Sequence, residues 1–75
     1  MAPKIRDLPA IGAAINEESW EWLRDMLPQL AEGVKTEVGR GATPDQVRVY
    51  VLNRTERREL ALRCEQAAHH LVAAE

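Results

Sequence analysis

At 75 residues and 8.4 kDa the chain holds one small domain, which excludes a substrate domain beside a cofactor domain. Its 45% hydrophobic and 29% charged residues describe a folded globular protein, and a formal net charge of -2 excludes polyanion binding driven by surplus Lys and Arg. The lone Cys64 excludes an internal disulfide and fits a reducing cytoplasm.

Residues 1–15 are expected to form an N-terminal arm in which Pro3 and Pro9 interrupt regular structure. Asp7 can cap a short helical turn that places Leu8, Ile11 and Ile15 on one face. The apolar stretch near Ile11 is short, broken by Gly12 and followed by acids, so it reads neither as a secretory signal nor as a membrane span.

Residues 16–75 read as a single helical domain. Asn16 is the expected N-cap, with Glu17, Glu18 and Glu21 in the first turns, where the positive end of the helix dipole favours them; Ser19 shares that capping region. At roughly 100° per residue, Trp20, Trp22, Leu23, Met26, Leu27, Leu30, Ala31, Val34 and Val38 fill one arc about half the circumference wide. An arc that broad touches two neighbours. Pro28 falls on the polar side of the same projection, so the spacing predicts one helix kinked at Pro28. Gly39 and Gly41 can supply the left-handed residue that closes it.

Thr43-Pro44-Asp45-Gln46 is a capping-box sequence with proline at the first helical position, and it announces a helix. The β-branched alternation Val47-Arg48-Val49-Tyr50-Val51-Leu52 would read as a strand in isolation, but no second strand-like run exists to pair with it. As a helix it turns Val47, Tyr50 and Val51 inward and leaves Val49 and Leu52 on other sides. Asn53-Arg54-Thr55 then makes a short joint, with Thr55 capping a last helix through Ala74, the alternative being that the two helices fuse into one long rod. That helix gathers Leu60, Ala61, Cys64, Ala67, Ala68, Leu71 and Val72 on one side. The expected fold class is all-α, a small bundle of three to four helices.

The residues that could carry chemistry point away from catalysis. Adjacent His69 and His70 diverge by about 100° on a helix, whereas chelating pairs come three or four apart, so no metal site is expected. Cys64 lies among alanines with no base beside it, and Gly39-Arg40-Gly41 lacks the spacing and lysine of a phosphate loop. Neither an enzyme, a cofactor nor a small-molecule substrate is expected.

Trp20 and Trp22 sit two positions apart, which swings their rings to opposite edges of one apolar face that a single small bundle does not wholly cover. Aromatics and arginine dominate interface energetics, and here the aromatics are Trp20, Trp22 and Tyr50 alone. With Met26 one turn beyond Trp22, and Leu52 and Leu62 off the main faces, the expectation is a cytoplasmic, non-catalytic helical protein–protein interaction module. It would act as an adaptor, accessory subunit or small regulator that self-associates, most simply as a homodimer, with Trp20, Trp22, Met26, Leu52 and Leu62 as partner-binding residues. The alternative expectation is nucleic-acid binding. The capped helix, short joint and Arg-rich start of the last helix resemble in outline a helix-turn-helix, with Arg54, Arg57 and Arg58 reaching phosphates or bases. Glu56, Glu59 and Glu65 interleave with those arginines and weaken the local field.

Overall fold

The computed structural model describes the backbone of residues 2–74 and the side chains of residues 13–74. Four helices follow one another: α1 (Ala2–Met26), α2 (Pro28–Gly39), α3 (Pro44–Thr55) and α4 (Arg58–Ala74). Among the described residues there is no strand, and no helix is long and apolar enough to cross a membrane. The chain is a small all-helical bundle.

α4 is its axis, and both α1 and α3 run antiparallel to it. Along α1, Ser19 meets Gln66 and Trp22 lies beneath Arg63, so numbers rise on one helix as they fall on the other. Along α3, Arg48 reaches Glu65 while Leu52 lies by Arg58 and Leu62. α2 touches the other three helices and completes the core. Leu23, Val34, Val47, Val51 and Cys64 are completely buried there, alongside Ala61, Ala67 and Ala68 of α4. Burial of each Leu or Val contributes ~1.5–3 kcal/mol. The small residues of α4 are what allow three helices to approach it.

The local chemistry explains the inner helix ends. The capping box forms in full: the Thr43 hydroxyl accepts from the Gln46 N–H at 3.2 Å, and the Gln46 carboxamide oxygen accepts from the Thr43 N–H at 2.9 Å. Those bonds start α3 as a helix, and Val47 and Val51 turn into the core, whereas Val49 stays 42% exposed. α2 ends in a Schellman turn in which Gly41, not Gly39, takes the left-handed conformation, at φ 97°. The Ala42 and Gly41 N–H groups donate to the Glu37 and Val38 carbonyls.

Several local expectations change. Pro28 does not kink one helix; it separates two. Leu27 leaves helical geometry at φ -137°, ψ 68°, because proline's ring crowds the residue before it, and Pro28 becomes the first residue of α2. Asn16 and Ser19 cap nothing. α1 takes in most of the segment expected as an arm and runs on through Ala13, Ala14 and the glutamates, all good helix formers. The side chains of Leu8 and Ile11, expected on one face with Ile15, lie outside the described residues. The joint before α4 is Glu56 and Arg57 instead of 53–55. Thr55 belongs to α3, donating its hydroxyl to the Val51 carbonyl and accepting from the Arg57 N–H, and Glu56 makes the left-handed turn at φ 57°. Val72, expected inside, is 44% exposed.

Candidate protein-interaction site

Trp20 and Trp22 do project to opposite edges of α1, and both are half-buried against the core. Arg24, one turn on, lies 6.0 Å from the Trp20 ring. Trp22 turns toward α4, where Arg63 lies 4.4 Å above its ring. Such stacking holds an indole in place while one edge stays open to solvent.

Beside Trp22 an open groove of about 370 Å³ runs between α1 and α4. Leu27 and Leu60 complete its apolar floor and Met26, 62% exposed, stands at its end. Arg57 of the joint, with Glu59 and Arg63 of α4, forms the opposite wall. A thioether on a flexible stem next to a fixed indole makes an adaptable apolar surface. The wall carries net positive charge.

The other expected partner-binding residues lie elsewhere. Leu52 and Leu62 come together, as the lining of a second groove of about 360 Å³ between α3 and α4, with Arg48, Arg58 and Ala61. Leu62 is 51% exposed and Leu52 half-buried. Trp20 belongs to neither groove. The five residues are therefore distributed over both flanks of α4 and the far edge of α1, and Trp22 with Met26 is the pair that shares a floor with further apolar side chains.

The arginines of the nucleic-acid alternative flank the joint between α3 and α4 and meet different neighbours. Arg54 stacks 5.1 Å from the Tyr50 ring, Arg57 walls the α1–α4 groove, and Arg58 lines the α3–α4 groove. α3 and α4 lie side by side as a helical hairpin, since Arg48 and Glu65 meet about two turns from the joint on each helix. Asp45, whose carboxylate accepts from Arg48 at 2.7 Å, holds that guanidinium's pKa above its ordinary value.

Three features were not legible in the chain. Arg63 emerges as the cation over Trp22 and Leu60 as groove floor only once α1 and α4 are set in register. Ser19, buried inside α1, donates its hydroxyl to the Gln66 carboxamide oxygen at 2.6 Å, crossing to α4 and helping to set that register. Cys64 is completely buried, and desolvation raises its thiol from 9.0 to about 11. Among the described residues no three His, Cys, Asp or Glu side chains converge as metal ligands would. Set against known proteins, the chain matches no protein-family model, no curated protein and no solved structure.

Proposed function

We propose that this chain is a non-catalytic helical protein–protein interaction module, an adaptor, accessory subunit or small regulator of the cytoplasm, that self-associates through the α1–α4 groove. The observation that carries the reading is Met26, 62% exposed beside half-buried Trp22 at the mouth of an apolar cleft. A large apolar side chain left in water next to a half-buried indole gains on being covered, and interface hot spots are built from such pairs. Exposed Glu56 and Glu59 stand among Arg54, Arg57 and Arg58 and dilute the positive field a duplex requires, which favours the protein-interaction reading over nucleic-acid binding.

The test compares the wild-type chain with Met26→Lys and Trp22→Ala by light scattering over a range of concentrations, with circular dichroism as a check on helix content. Lysine is a good helix former and is favoured in the last turn of α1, so Met26→Lys keeps the fold. The expected result is a wild-type mass that rises above 8.4 kDa with concentration. Met26→Lys should stay monomeric with unchanged helicity, and Trp22→Ala should associate at least ~10-fold more weakly. A wild type that is monomeric throughout, or a Met26→Lys chain that associates like it, overturns the reading.

A further inference from the structure

We infer that the occupant of the α1–α4 groove is a second copy of this chain, docked about a two-fold axis parallel to α1, so that the two α1 helices lie parallel. This rests on self-association through that groove and adds its geometry.

Across this face the side chains stand in a definite order. On the α4 side stands a basic ridge, Arg57 and Arg63, with Glu59 between them. Next comes an apolar stripe on α1: at roughly 100° per residue, Ile15, Trp22 and Met26 fall within about 40° of one another. Ile15 is 46% exposed. About 60–80° further round α1, away from α4, come Glu18 and Asp25, both exposed. The surface therefore reads basic, apolar, acidic.

That order is self-complementary under one symmetry. A two-fold axis along the stripe exchanges left and right but preserves the level along the helix, laying the acidic ridge of each copy over the basic ridge of the other, twice. An axis perpendicular to α1 within the same plane would instead lay acid on acid and base on base. The levels also match. Arg63 stands beside Trp22, between Glu18 and Asp25 and about 4–6 Å along the axis from each, while Arg57 shares the groove with Met26, one residue beyond Asp25. Among the described residues the ion pairs join Arg40 to Glu37 and Arg48 to Asp45 and Glu65, and Arg57, Arg63, Glu18 and Asp25 enter none. A foreign acidic helix in the groove would satisfy the two arginines and leave both acids unmatched. A second copy satisfies all four.

The experiment uses two variants of the 75-residue chain, each with one ridge reversed: Glu18→Lys/Asp25→Lys, with two basic ridges, and Arg57→Glu/Arg63→Glu, with two acidic ones. All four positions are exposed, and circular dichroism checks that the fold survives the loss of the Arg63 stack on Trp22. By sedimentation, each variant alone should dissociate at least ~10-fold more readily than wild type, and an equimolar mixture should form a one-to-one heterodimer. Independently, Ile15→Cys in the otherwise unaltered chain should form an interchain disulfide on mild oxidation, since a parallel pairing sets Ile15 against its twin. Cys64 is buried and does not compete. An antiparallel pairing centred on the same stripe would leave the two cysteines about 16 Å apart.

Variants that each self-associate like wild type, a mixture that fails to associate, or an Ile15→Cys chain that does not cross-link overturns the inference. If this happens while Met26→Lys still abolishes wild-type association, the groove keeps its role and only the two-fold geometry is lost. A wild type that never associates removes both.

Discussion

At the scale of single residues, environment decides chemistry. Cys64 is the thiol a sequence reader would inspect for reactivity, yet Ala61, Ala67 and Ala68 share its core and its pKa rises to about 11 by desolvation. At neutral pH it is an uncharged apolar filler. Alkylation by iodoacetamide at about pH 8 should therefore run at least ~100-fold slower in the native chain than in urea, on thiolate fraction alone. The same shift links to stability. Because the folded pKa lies above the unfolded one, the contribution of Cys64 is complete below pH 9.0 and is lost as pH rises toward about 11. Thermal melts of wild type and Cys64→Ala across that window should converge from the wild-type side; parallel curves would show that the thiol ionises without penalty. The placement of Cys64 on an alanine-rich face was readable from spacing, but the completeness of its burial depended on three neighbouring helices.

At the scale of elements, helix ends carry the information. Gly41 and Glu56 both occupy left-handed backbone, and only the first is a glycine. Left-handed geometry costs roughly 1–2 kcal/mol for a residue with a Cβ. Glu56→Gly should accordingly stabilise the chain by about 0.5–1 kcal/mol in urea titrations, and Gly41→Ala should destabilise it by about 1–2 kcal/mol. Equal and opposite failures, with Glu56→Gly destabilising, would mean that the Glu56 side chain holds the joint. The capping box of α3 was legible because its residues are local and reciprocal. The joint after α3 was not, because Thr55 can cap a following helix or close a preceding one with the same hydroxyl, and its bond to the Val51 carbonyl settles on the second. Pro28 was similarly ambiguous. A proline on a polar arc is compatible with a bend or a break, and the packing of α2 over α1, α3 and α4 selects the break.

At the scale of the whole molecule, charge is arranged more tellingly than its near-zero sum suggests. A dimer built on opposed ridges has exposed ion pairs at its rim and Trp22, Met26 and Ile15 at its centre. Raising ionic strength from about 0.05 M to 0.5 M should weaken self-association several-fold without abolishing it, since screening reaches the rim and not the apolar seam. Association that strengthens with salt would assign the interface to apolar contact alone. The sequence by itself determined the helical class, the capped start of α3, the inward valines and the opposed tryptophans, because these follow from periodicity and from bonds between residues a few positions apart. Tertiary structure alone decided that Arg63 covers Trp22, that Ser19 reaches Gln66, and that Leu52 and Leu62 line a different groove from Trp22. Those relations span tens of residues of chain, and they depend on which turn of one helix settles against which turn of another, a register that no spacing within a single helix encodes.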